Sequence, residues 1–313
     1  MPSVPTISFD LWTSDPDTFA DELGRALRDT GFAVVTDHTI PASTIAAADR
    51  AARAVFGLGL EAKHRYSDPA SGFQRGYSPL GTETAVGGAK PDLKEFWHVG
   101  RPDGVSGLPD NPEVAEVPEF GAATEALWRE LDAFGGELLR AVAVHLGLGR
   151  DGLEEIARGG NSILRLLRYP AHHVAPSAGE ERAAAHEDIN LITLLLGVEE
   201  AGLEVLHRSG QRGAEVWMPI NPEPGAVVVN TGDMLERVTA GVLPSTTHRV
   251  VNPEGAAAGR DRYSMPFFLH PRNDAVLRAL PGCVAEGGRA RPPITAGAYL
   301  EERLAQIGLR QAS

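Results

Sequence analysis

Residues 183–197 read AAAHEDINLITLLLG, and the spacing of His186 and Asp188 at its centre is the most informative feature of the chain. Successive side chains on a strand point to opposite faces, so residues two apart share one. On a strand, His186 and Asp188 would reach a common point while Glu187 points away. The run Ile189–Leu196 that follows is apolar and β-rich, as expected of a strand entering a core. A second histidine, His248, lies in STTHRVV at 245–251, and Arg262 with Ser264 lies in DRYSMPFFL at 261–269. Two imidazoles and one carboxylate suit a non-haem ferrous ion with open coordination positions. Arg-x-Ser supplies a guanidinium fork and a hydroxyl on one strand face, a receptor for a carboxylate. The segment 252–261, NPEGAAAGRD, has loop composition. If it closes an antiparallel hairpin, His248 and Arg262 lie within a few residues of pairing.

His-x-Asp alone is weak in a chain with 10 histidines. His145 falls in a helical pattern, and His172, His173 and His207 read as loop or surface residues. The ordered combination on strand-like sequence carries the metal-site reading.

These segments resemble a known family. His186-Glu187-Asp188, Asn230-Thr231-Gly232-Asp233-Met234-Leu235-Glu236-Arg237, Ser245-Thr246-Thr247-His248-Arg249-Val250 and Arg262-Tyr263-Ser264 are similar to motifs of the isopenicillin N synthase-like iron(II)/2-oxoglutarate-dependent dioxygenases. Gly31-Phe32-Ala33-Val34-Val35 to His38, Arg75-Gly76-Tyr77 and Asp92-Leu93-Lys94-Glu95 extend the resemblance over nearly the whole chain. The resemblance implies that His186, Asp188 and His248 ligate iron, and that Arg262 and Ser264 hold the distal carboxylate of 2-oxoglutarate. It implies Fe(II), 2-oxoglutarate and O2 as the reacting set. Succinate and CO2 would be released as an unactivated C–H bond of a small metabolite is hydroxylated. Many relatives have an asparagine before the tyrosine of the preceding strand. Here Leu167 stands there, in Arg165-Leu166-Leu167-Arg168-Tyr169-Pro170, and Tyr169 is a candidate donor to the cosubstrate or a core aromatic. An iron oxidase of the same fold that does not use 2-oxoglutarate is the second reading. A non-catalytic jelly-roll binding protein is the third.

The pattern along the chain predicts an α+β fold: a double-stranded β-helix (jelly-roll) core with flanking N-terminal helices and a C-terminal helix. Phe19, Leu23 and Leu27 predict a helix over 16–29, with Asp15 as N-cap and Pro16 at its first position. Helices are also expected at 41–57, 118–147 and 296–307. From 161 onward, short apolar runs punctuated by Gly, Pro and Asn predict strands of a barrel or jelly roll. The expected division is a helical and loop region over 1–150 and a catalytic core over 151–313.

Residues 66–115 are rich in Gly, Pro and Asp and too long to be a mere connection. In the resembling family this region lies over the iron, which makes Arg75, Tyr77, Phe96 and His98 candidate substrate contacts. Arg75 would suit a carboxylate-bearing, amino-acid-like substrate. Asn230-Thr231-Gly232-Asp233 could touch the active site through Asn230, but Gly232-Asp233 is a turn signal first. Trp217 reads as sheet packing, and Phe267 and Phe268 as core, with either able to face the pocket.

Lys+Arg 29 against Asp+Glu 42 gives a net charge of −13, which argues against nucleic acid or an anionic membrane as partner. One cysteine, Cys283, excludes an intrachain disulfide framework. No segment approaches the ~20 apolar residues of a membrane span, and the first residues carry no signal-like run. The expectation is a cytoplasmic enzyme with a small-molecule substrate, monomeric or a weak homo-oligomer.

Overall fold

The computed structural model describes residues 3–84, 90–171, 180–197, 201–209, 214–253 and 255–306; His172, His173 and Ile307 lie outside them. Twelve strands build two facing sheets. In chain order they are β1 (Thr6–Ser8), β2 (Phe32–Thr36), β3 (Gly76–Ser78), β4 (Glu95–Val99), β5 (Ile163–Tyr169) and β6 (Ala183–His186). They continue as β7 (Ile192–Leu196), β8 (Leu203–Ser209), β9 (Ala214–Pro219), β10 (Val227–Thr231), β11 (His248–Val250) and β12 (Arg262–Leu269). The larger sheet has the order β1-β2-β10-β7-β12-β5-β4-β3, and the smaller β6-β11-β8-β9. This is the expected jelly-roll core. Strands from before residue 100 hydrogen-bond directly to strands from after residue 160, as β2 does to β10 and β4 to β5.

Period-2 alternation divides the central strands of the large sheet between two cores. Along β5, Leu164 and Leu166 enter the core under the helices, whereas Leu167 and Tyr169 enter the core between the sheets. The inter-sheet core joins Phe32, Phe96 and Val228 of the large sheet to Leu203, Val205 and Met218 of the small one. The outer face of the large sheet is covered by the helices Pro16–Thr30, Ala42–Phe56 and Phe120–His145, the last packing on both others. Gly135 lets the long helix sit close to β12, since a Cβ there would lie 2.4 Å from Leu269 Cδ1.

The expected helices form for the local reasons read from the sequence. Asp15 caps the first, accepting from the Thr18 amide, and Pro16 starts it. Gly31 ends it at φ 75°, a left-handed conformation that costs glycine little. The C-terminal helix runs Ala296–Gln306. Among the described residues no helix is long and apolar enough to cross a membrane.

Two local expectations need correction. The strand carrying His186 ends at that residue, and β7 begins only at Ile192, so Asp188 lies in the connection and not on a shared strand face. His248 and Arg262 do not belong to one hairpin either. β11 pairs with β6 and β8 in the small sheet, and β12 with β5 and β7 in the large one. The loop between them crosses from one sheet to the other.

Candidate active site

The register of β6 and β11 sets the two histidines directly opposite one another. Their ring centroids are 4.4 Å apart. Asp188 reaches the same point from the β6–β7 connection, and His248 Nε2 lies 3.9 Å from its Oδ2. One ligand atom from each of His186, Asp188 and His248 falls within 4.8 Å of the others. His186 Nδ1 donates to the Ala184 carbonyl at 2.7 Å, and His248 Nδ1 to the Thr246 carbonyl at 3.1 Å. These bonds put the proton on Nδ1 and leave Nε2 with a lone pair for a metal. Burial, then the neighbouring His248, lowers His186 to about 4, so it is neutral as a ligand must be.

Burial alone would raise the Asp188 carboxyl. The opposing pull of His248 and His186, with hydrogen bonds from Asn230 and Thr193, holds it below its ordinary value. Both bonds fall on Oδ2, from Thr193 Oγ1 at 2.6 Å and Asn230 Nδ2 at 2.8 Å. Asn230 therefore contacts the triad from the end of β10, one of the two roles its sequence offers, and the turn follows at Gly232. Gly232 makes that turn possible: a Cβ there would lie 2.2 Å from Asn190 Oδ1 and 2.3 Å from the Asn190 carbonyl oxygen. The donor set and its hydrogen-bonded support fit a facially bound divalent ion.

Arg262 stands at the start of β12, opposite Tyr169 on β5. It is 1% exposed, and Nε, Nη1 and Nη2 all lack a hydrogen-bond partner among the described residues. Its guanidinium lies 5.1 Å from the Tyr169 ring centroid. Ser264, two residues on, is buried on the same face and pairs with Leu167. A buried guanidinium with three unpartnered nitrogens fits a carboxylate ligand.

A cavity of about 430 Å³ opens beside the triad, with His186 and Asp188 in its wall. Phe96 and His98 line it as well. Arg75 and Tyr77 do not. Arg75 is buried, but its guanidinium donates to the Gln74 carbonyl and to Asn161 Oδ1 at 2.8 Å, packed against Gly100. The Tyr77 hydroxyl donates to Glu95 on the helix side of the sheet, in a buried cluster with Lys63. Alternation along β3 sends Tyr77 away from the cavity, and Arg75, one residue before that strand, is held by Gln74 and Asn161, so it supplies no anchor for a substrate carboxylate there.

The wall contains residues the sequence did not single out. Arg165 forks onto Glu83 at 3.0 and 2.9 Å and donates through Nε to His98 Nε2 at 2.7 Å. Lys94 lies 3.0 Å from Glu83 and 2.8 Å from Asp92. His270 follows β12 directly, and Leu300, Arg303 and Leu304 come from the C-terminal helix. Arg165 was legible as the charged residue sharing a strand face with Leu167 and Tyr169. His270 was legible as the continuation of the Arg262, Ser264, Phe268 period.

Two family models match the chain: the non-haem dioxygenase in morphine synthesis N-terminal model over residues 4–119, and the 2OG-Fe(II) oxygenase superfamily model over residues 160–271. The 2-oxoglutarate-Fe(II) type oxidoreductase hxnY of Emericella nidulans is 32% identical over 283 residues, 85% of this chain and 78% of that protein. The proline hydroxylase buaE of Petromyces alliaceus is 32% identical over 303 residues, 93% of each chain. Among solved structures, a 2OG-Fe(II) oxygenase family protein from Caulobacter crescentus superposes with a TM-score of 0.87 at 45% identity, over 98% of this chain and 100% of that one. A full-length Neurospora crassa protein in complex with alpha-KG gives 0.83 at 30% identity, over 96% and 95%. The chain belongs to the 2OG-Fe(II) oxygenase superfamily and is an iron(II)/2-oxoglutarate-dependent dioxygenase.

Proposed function

We propose that His186, Asp188 and His248 hold iron(II), that Arg262, Ser264 and Tyr169 receive the distal carboxylate of 2-oxoglutarate, and that a small molecule in the adjacent cavity is hydroxylated at an unactivated C–H bond. When bound, the iron and its cosubstrate supply oxygen activation driven by decarboxylation of 2-oxoglutarate to succinate and CO2. The protein supplies geometry. The two imidazoles are fixed as Nε2 donors by their Nδ1 bonds, and Thr193 and Asn230 orient Asp188. Arg262 and Ser264, on one face of β12, orient the cosubstrate from its far end. Phe96 and Phe268 line the cavity and limit water there.

The observation that carries the reading is Arg262: a buried guanidinium with no hydrogen-bond partner among the described residues fits a ligand carboxylate. Phe96 and His98 stand as substrate-side residues; Arg75 and Tyr77 support the wall from behind. The net charge of −13 favours a small molecule over nucleic acid. With the single cysteine it favours a cytoplasmic enzyme, working as a monomer or weak homo-oligomer. Substrate-dependent succinate formation with iron(II) tests the reading. Succinate and hydroxylated product should form in equal amounts. Oxygen uptake with substrate but without 2-oxoglutarate would identify the oxidase alternative.

A further inference from the structure

Strand β12 acts as a ruler across the site. Its alternate residues Arg262, Ser264 and Phe268, with His270 just past its end, lie on one face. Phe268 pairs with Thr193, and Thr193 bonds Asp188, so the triad's carboxylate lies level with Phe268. Arg262 stands on one side of that level and His270 on the other. The His270 end adjoins Asn161, because the His270 amide donates to Ser162 Oγ at 3.3 Å. Asn161 and Gln74 line the same cavity.

The charges around this cavity are already matched. Arg165 is forked onto Glu83, Lys94 lies between Glu83 and Asp92, and Arg303 lies 2.9 Å from Asp233. Each cationic Lys or Arg in the wall thus faces a carboxylate, and Glu187 adds negative charge at the rim. An anionic substrate would be desolvated here with no free Lys or Arg among the described wall residues to meet it. What remains is neutral. Asn161 has its Oδ1 occupied by Arg75, and its Nδ2 makes only a 3.5 Å contact with Gln74 Oε1. His270 is 9% exposed and its Nδ1 has no partner among the described residues. Burial lowers it to about 4, leaving a neutral ring with one donor and one acceptor.

We propose that the cavity takes an uncharged substrate with an amide- or imide-like donor–acceptor pair, bound by His270 and the Asn161 and Gln74 carboxamides on the side of the triad away from Arg262. This rests on the assignment of Arg262 to the cosubstrate, and it specifies what the remaining space selects. His270 is a specificity-determining residue in this scheme.

Calorimetric titration of the protein loaded with manganese(II) and 2-oxoglutarate tests it without turnover. Matched pairs serve as probes: uracil against orotate, and 2-pyrrolidone against pyroglutamate. The uncharged member of a pair should bind at least tenfold more tightly. His270→Leu should weaken that binding tenfold or more, and His270→Gln should restore most of it by returning a neutral donor and acceptor. A ring needed only for packing would tolerate Leu better than Gln. Equal or tighter binding of the carboxylates, no binding of either pair up to millimolar concentration, or wild-type affinity in His270→Leu would each overturn the proposal. A protein that fails to bind 2-oxoglutarate in the loading step would refute the cosubstrate assignment instead, so the two failures are separable.

Discussion

Replacing Arg262 with leucine should stabilise the cosubstrate-free protein and abolish most of its response to 2-oxoglutarate. Arg262 is 1% exposed, and three of its nitrogens lack partners among the described residues. A buried unsatisfied group costs about 1–3 kcal/mol, more when charged, and an apolar replacement removes that cost. A gain of about 2 kcal/mol is expected without ligand. With an unfolding entropy of about 2.1 cal/mol/K per residue over 313 residues, 1 kcal/mol shifts the melting midpoint by about 1.5 °C, so a rise of about 3 °C should be visible. With ligand the order reverses. At a concentration 100 times its Kd, 2-oxoglutarate stabilises the wild type by about 2.7 kcal/mol. Loss of one charge-assisted bond, worth about 1.5–3 kcal/mol, weakens binding about 10- to 150-fold. At a 100-fold loss the same concentration stabilises the variant by only about 0.4 kcal/mol. Thermal unfolding of the manganese(II)-loaded protein, with and without 2-oxoglutarate, measures both effects. A variant that melts lower without ligand and keeps the full ligand shift would show that Arg262 is structural and refute the reasoning.

Three further outcomes follow, two from the supports of the triad and one from His270. Asn230→Ala removes one of the two bonds to Asp188 Oδ2, and loss of such outer support commonly costs 10- to 100-fold in metal affinity; competition with a fluorescent chelator reads this directly, and unchanged affinity would remove Asn230 from the metal's support. Gly232→Ala forces a Cβ within 2.2 Å of Asn190 Oδ1, so the turn that follows β10 and the Asp188 connection must shift; iron retention should fall together with the melting midpoint, whereas a variant with wild-type iron content would show that the turn yields at no cost. Lowering the pH should destabilise the metal-free protein because His270 is held at about 4 against 6.5 in the unfolded chain. The unfolded state then binds the extra proton between those values. The associated stability, about 3 kcal/mol, is present above pH 6.5 and is lost as pH falls towards 4; denaturant titrations at pH 7 and pH 4.5 should differ more for the wild type than for His270→Leu.

Much of this molecule was legible without coordinates because local physics decides it. Asp15, Pro16 and Gly31 bound a helix through capping, a fixed φ and a left-handed terminus, all properties of a few adjacent residues. Short apolar runs punctuated by Gly, Pro and Asn marked most of the strands from β5 to β12. His186, Asp188 and His248 were legible as a ligand set because donor type is written in the residue itself. The route by which they meet was not legible. Asp188 reaches the centre from a connection, and His248 stands beside His186 through a pairing that spans more than sixty residues. Strand period assigns residues to two faces but does not say which face meets the cavity. That choice rests on which strands become neighbours. It turned Phe96 and His98 inward and Tyr77 towards Glu95, and it set Arg75 behind Asn161. It also joined Arg165 to Glu83 across more than eighty residues, so that a cation on β5 meets its carboxylate in the cavity wall. The sequence by itself determined the elements and the chemistry available to them. Only the tertiary structure decided which polar groups find partners and which, like the Arg262 guanidinium and His270 Nδ1, find none among the described residues, because partnership depends on long-range pairing that no local pattern encodes.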